Sequence, residues 1–77
     1  MQIKVKLFGS LADLVGSSEM LMENVLDSEE LCKRFRELYG TSKEIKMLVA
    51  VNRSIQSEPY IFCEADEIAL LPPFSGG

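Results

Sequence analysis

The sequence predicts a two-layer α+β domain, a mixed five-stranded sheet with one main helix lying across one face. Three observations carry this. Residues 2–7 alternate polar and apolar side chains, the period of a strand with one buried face. Residues 27–40 hold a capping residue, an apolar stripe and a closing glycine, the marks of an amphipathic helix. The chain then finishes on an apolar strand-like run that halts at Pro72-Pro73.

In the first strand Ile3, Val5 and Leu7 alternate with Gln2, Lys4 and Lys6. Phe8 falls on the polar side of that alternation, either as the strand end turning under a loop or as an exposed apolar residue. Gly9-Ser10 break the strand, and Leu11, Leu14 and Val15 fit one short helical turn before Gly16-Ser17-Ser18. Glu19 to Leu26 is read as a second strand, paired antiparallel with the first because the connection is short.

The main helix follows. Asp27 serves as N-cap with Glu30 completing a capping box, and Ser28 is the alternative cap. Leu31, Phe35, Leu38 and Tyr39 form one apolar stripe. Lys33, Arg34, Arg36 and Glu37 line the solvated face, and Gly40 closes the helix in a left-handed conformation. Cys32 at the stripe's edge reads as a packing residue.

Thr41 to Lys46 is polar, with room for a second short turn. Met47 to Val51 is a continuous apolar run suited to a strand near the sheet centre. Asn52-Arg53 read as a turn, and Ser54-Ile55-Gln56 as a very short strand. Residues 59–62 form a loop that drops an aromatic into the core. Residues 63–66 are a connection, and Glu67 to Leu71 is the last strand. Pairing the first and last strands in parallel at the centre accounts for both apolar runs, and the sheet then grips the helix as a β-grasp.

Seventy-seven residues make one domain. A chain of this size buries roughly 60% of its unfolded surface, which leaves little room for an enclosed active site. There is no histidine, so the commonest general base and metal ligand is missing. Cys32 and Cys63 have no C-x-x-C spacing and read as reduced thiols, with no metal site expected. A net charge of −4 without a basic cluster argues against nucleic acid and against anionic membrane surfaces. An acidic surface suits a basic partner protein. No apolar run approaches the roughly 20 residues that span a bilayer, and residues 2–7 are unlike a signal peptide. A cytoplasmic location is expected.

The division expected is a domain of residues 1–71 and a tail of residues 72–77, Pro-Pro-Phe-Ser-Gly-Gly. Pro73 holds Pro72 out of the helical region, and neither proline donates to a sheet ladder, so the tail leaves as an extended arm. Gly76 and Gly77 carry no side chains and can enter a channel too narrow for a Cβ. The group delivered at the tip is the carboxylate of Gly77, which becomes an acyl donor once adenylated. Asp66 and Glu67 read as a turn and an exposed strand start, not as a catalytic pair.

Ala50-Val51-Asn52, Asp66-Glu67-Ile68-Ala69 and the ending Leu71-Pro72-Pro73-Phe74-Ser75-Gly76-Gly77 together resemble the small, sulfur-carrying subunit of molybdopterin synthase, within the ubiquitin-like β-grasp superfamily. The likeness covers the whole chain in length and element order. The related thiamine-pathway carrier also ends in Gly-Gly but usually lacks the Pro-Pro. The resemblance implies that an ATP-dependent, E1-like enzyme adenylates Gly77 and that sulfur transfer makes a thiocarboxylate. The tail, Pro72, Pro73, Phe74, Ser75 and Gly76, then inserts into the large catalytic subunit, where the sulfur goes to cyclic pyranopterin monophosphate. It further implies a heterotetramer, a carrier inert alone with no cofactor of its own, and a partner surface of Phe8, Leu71 and Phe74.

Two positions depart from that family. Ala65 stands where glycine is usual; were its turn left-handed, alanine would cost on the order of 1 kcal/mol. Phe74 replaces Val or Ile and thickens the tail. Two other readings stay open: a modifier, or carrier for thiamine or tRNA thiolation, using the same adenylated tail; and an interaction module whose Gly-Gly is incidental.

Overall fold

The computed structural model describes residues 2–41 and 46–73. Its elements are β1 (Gln2–Leu7), α1 (Gly9–Val15), β2 (Glu19–Glu23), α2 (Ser28–Tyr39), β3 (Leu48–Val51), β4 (Ser54–Ile55) and β5 (Ile68–Leu71). The five strands lie in the order β2-β1-β5-β3-β4. β1 and β5 run parallel at the centre, with Val5 opposite Ile68 and Leu7 opposite Leu70. The other pairs are antiparallel. The expected pairing of first and last strands is therefore the one observed, and the fold is the ubiquitin-like β-grasp.

The core lies between the sheet and α2. Strand alternation sends Ile3, Val5, Leu7, Val49, Val51, Ile68 and Leu70 to one side, and all are buried. Leu31 and Phe35 of α2 meet them, and both are fully buried. Phe35 also stacks on Tyr39 one turn later, with ring centroids 4.8 Å apart. Cys32 is half-buried among these residues, and burial pushes its thiol pKa up, as a packing role requires.

The start of α2 is held by two residues. Asp27 Oδ1 accepts the Glu30 N–H at 2.8 Å, the expected N-cap. The Glu30 carboxylate does not complete the box on which the sequence reading relied. It accepts from Arg34 Nη2 at 3.1 Å, one turn along the helix. Ser28 is the first helical residue, and its Oγ accepts the Tyr60 N–H at 2.9 Å. The Ser28 N–H donates to the Tyr60 carbonyl at 2.9 Å, and the Phe62 N–H to the Leu26 carbonyl at 2.8 Å. These bonds fasten the 60–62 loop to the helix start and turn Phe62 into the core.

Several boundaries differ from the expectations. Gly9-Ser10 open a seven-residue helix, α1, instead of merely breaking the strand. β2 stops at Glu23 instead of Leu26, because Asn24 turns left-handed at φ 61°. Leu38, expected in the buried stripe, is 59% exposed. Steps of four residues drift by about 40° around a helix, so the buried line has moved to Tyr39 by the last turn. Ala65 avoids the feared strain. It is not among the left-handed residues Asn24, Asn52 and Arg53, and its turn closes through an Asp66 N–H to Cys63 carbonyl bond of 3.1 Å. The second turn expected after Thr41 falls on residues 42–45, outside the described residues. No helix among those described is long and apolar enough to cross a membrane.

Candidate functional site

Side chains that alternate away from α2 form the sheet's open face. In its middle they are small. Ala69 of β5 lies between Lys6 of β1 and Ala50 of β3, and Ala50 lies opposite Ile55 of β4. Two adjacent alanines leave a trough of about 390 Å³. Lys6 and Phe8 wall it on the β1 side, and Ile55 and Arg53 on the β4 side. Leu71 of β5 and Glu67, the residue just before that strand, lie on either side of Ala69, two residues away in each direction.

The trough is apolar along its floor and charged at the Glu67 end. Lys6 Nζ donates to Glu67 Oε1 at 3.0 Å, and Arg53 Nε lies 3.5 Å from Glu67 Oε2. The Lys6 hydrogen bond and charge, with a smaller contribution from Arg53, hold the Glu67 carboxyl below its ordinary value of 4.5. One carboxylate is thus shared by two cations, and that end carries a net positive charge although the chain as a whole is acidic.

Arg53 reaches this place through a tight hairpin. Asn52 and Arg53 both take left-handed conformations, φ 52° and 70°, as a two-residue β-hairpin turn requires. The Asn52 side chain fastens the turn to the entry of β5. It accepts the Glu67 N–H at 3.0 Å and donates to Asp66 Oδ1 at 3.0 Å.

Phe8 and Leu71, the two described members of the expected interface, both line the trough. Phe8 is 47% exposed, and Leu71 is half-buried where β5 ends. Pro72 and Pro73 follow outside the strand, so the chain leaves the body at the Leu71 end of the trough. Phe74, Ser75, Gly76 and Gly77 lie outside the described residues. The trough also brings in Lys6, Ala50, Arg53, Ile55, Glu67 and Ala69, which sequence reasoning did not single out. A signal existed for Lys6 and Ala69, since each alternates with buried neighbours. Glu67 had been read only as an exposed strand start.

The arrangement can bind an apolar side chain of a partner and orient it by charge. No group of three or more acidic, cysteine or histidine side chains among the described residues is placed to hold a metal ion.

Residues 5–77 match the ThiS family. The chain belongs to that family. Its members are ubiquitin-like β-grasp sulfur carriers that work with E1-like activating enzymes and partner enzymes. No curated protein matches the chain significantly by sequence. Among the solved structures that share the fold are two small archaeal modifier proteins. The small archaeal modifier protein 1 of Methanosarcina acetivorans superposes with a TM-score of 0.72 at 20% identity, covering 99% of this chain and 96% of that one. Its counterpart from Haloferax volcanii gives 0.72 at 21% identity, with full coverage of both chains.

Proposed function

We propose that this chain is the sulfur carrier of a molybdopterin synthase. The observation that carries the reading is the junction of site and tail. β5 ends at the rim of an apolar trough and passes directly into Pro72-Pro73, with Gly76-Gly77 closing the sequence. A partner that grips the trough is thereby presented with the arm. The Gly77 carboxylate attacks the α-phosphorus of ATP in an E1-like enzyme, and pyrophosphate leaves. Hydrosulfide then attacks the acyl carbon, AMP leaves, and the tip becomes a thiocarboxylate. The sulfur-loaded arm enters the large synthase subunit, its sulfur bonds to cyclic pyranopterin monophosphate, and water cleaves the acyl C–S bond to return the Gly77 carboxylate. Pro72-Pro73 favours this pathway over thiamine synthesis, whose carriers usually lack the pair. The catalytic side chains belong to the partners, in keeping with a chain that has no histidine. The same reading places the chain in the cytoplasm, two copies with two large subunits.

A second reading, attachment to lysines of other proteins, uses the same adenylated tail. It is favoured by the fold shared with two modifier proteins. Intact mass of the chain from cells making the cofactor separates the two. The carrier reading expects a species about 16 Da heavier, oxygen exchanged for sulfur. Free acid together with lysine conjugates, and no heavier species, would decide for the modifier. Unchanged partner binding and unchanged cofactor synthesis after deletion of Gly77 would favour instead an interaction module whose Gly-Gly is incidental.

A further inference from the structure

We propose that Gly9 is a positioning residue: its bare backbone seats the Pro72 ring and sets the angle at which the acyl-carrying arm leaves the body. The proposal rests on the reading of residues 72–77 as that arm. A Cβ on Gly9 would lie 3.1 Å from Pro72 Cγ and 3.7 Å from Cδ. Carbon atoms in ordinary contact stay about 3.5–4.0 Å apart. The pyrrolidine ring is closed onto its own backbone, so Cγ can shift only by a change of pucker. Relief beyond that requires the chain around one of the two residues to move.

Neither side has slack before Pro72. Leu70 is fully buried, and β5 is bonded on both edges, to β1 and to β3. On the other side the Leu7 N–H donates to the Ser18 carbonyl at 2.8 Å, and the Leu11 N–H to the Phe8 carbonyl at 3.2 Å. Leu11 is itself buried in the core. Gly9 thus stands between two anchored residues. The first place that can yield is Pro72 itself, the root of the arm.

The position of this contact gives it a function. Phe8 and Leu71, the residues immediately before Gly9 and Pro72, both line the trough. The contact lies where the docking face ends and the arm begins, so it governs the angle between them. A partner holding the trough needs that angle to bring Gly77 to its reacting atoms, and a misplacement of about 1 Å can cost roughly a hundredfold in rate. Gly9 also has φ +55°, which by itself favours glycine, so the test must separate backbone preference from the contact. Asparagine tolerates that φ yet still carries a Cβ.

The experiment is ATP–pyrophosphate exchange by the organism's E1-like adenylating enzyme on the full chain. The substrates are wild type, Gly9→Ala, Gly9→Asn, Pro72→Ala and the Gly9→Ala/Pro72→Ala pair. Amide spectra of residues 74–77 and melting temperatures are recorded alongside. The expected result is a kcat lower by roughly tenfold or more in both Gly9 variants, with KM little changed, since the arm and not the docking face is disturbed. Their residue 74–77 amide signals shift as well. In the Pro72→Ala background, where the ring is gone, the Gly9→Ala effect on kcat shrinks to about twofold or less. An equal loss in both backgrounds would overturn the proposal in favour of backbone strain, and so would unchanged kcat and unchanged signals. Should wild type undergo no exchange while the Gly9→Ala signals still shift, the carrier reading fails and the positioning role stands.

Discussion

Asp66 does more for the fold than its place in a turn suggests. Its Oδ2 accepts the Cys63 N–H at 2.7 Å, and its Oδ1 accepts from Asn52 at 3.0 Å and from the Tyr60 hydroxyl at 3.5 Å. The Cys63 amide foremost, then Asn52 and Tyr60, hold the carboxyl below its ordinary value of 3.8. Glu67 is held below 4.5 in the same sense, chiefly by Lys6. A lowered value means that the folded chain binds the proton less tightly than the unfolded one. The stabilisation is therefore complete above the unfolded values and is lost as pH falls through the folded ones. Urea midpoints should hold steady for these groups from neutral pH down to about 5 and decline below about 4.5. Asp66→Asn should flatten that decline while lowering the neutral-pH midpoint. An unaltered acid slope in the variant would assign the acid sensitivity elsewhere.

At the scale of the element, α2 is held at its start by a local cap and by a distant pair of bonds between Ser28 and Tyr60. Asp27→Ala removes the local cap and should cost about 1 kcal/mol. Ser28→Ala leaves the Tyr60 N–H without its acceptor and removes one of the bonds that hold the loop carrying Phe62, at about 1–3 kcal/mol. Equilibrium urea unfolding measures both, and a Ser28→Ala loss below that of Asp27→Ala would show the latch to be dispensable. The Asp27 cap was legible in the sequence because both partners lie three residues apart. The Ser28–Tyr60 latch was not, because 32 residues separate them. The same divide runs through the site. The outward side of Phe8 was legible from the parity of β1, and Leu71 entered only through the family resemblance. The trough's alanine floor and the Lys6–Glu67–Arg53 cluster depend on which residues face one another across strands, and no single strand carries that register. The end of β2 was missed for a local reason, the left-handed turn at Asn24.

Taken whole, the molecule has a sealed side and an open one. α2 covers one face of the sheet, and the other keeps Phe8 and Ile55 about half exposed. A residue exposed to that degree adds little to stability, and Phe8 is the uncapped N-cap position of α1, so Phe8→Asp should leave the unfolding free energy unchanged or raise it by about 1 kcal/mol. The same change puts a charge on the wall of the trough and, if the proposed function holds, should weaken binding to the large synthase subunit it calls for by tenfold or more, about 1.4 kcal/mol. Titration calorimetry on the two purified chains reads this directly. Undiminished affinity would move the docking surface off this face.

The parallel pairing of β1 with β5 has a bearing on how the domain closes. β1 meets its inner neighbour only through residues 68–71, far along the sequence, so the centre of the sheet rests on a contact of high sequence separation. Without β5 no ladder among the described residues joins β1 to β3, since β5 lies between them. Such long-range pairing slows folding, and the strand that carries the root of the arm is also the one that completes the sheet.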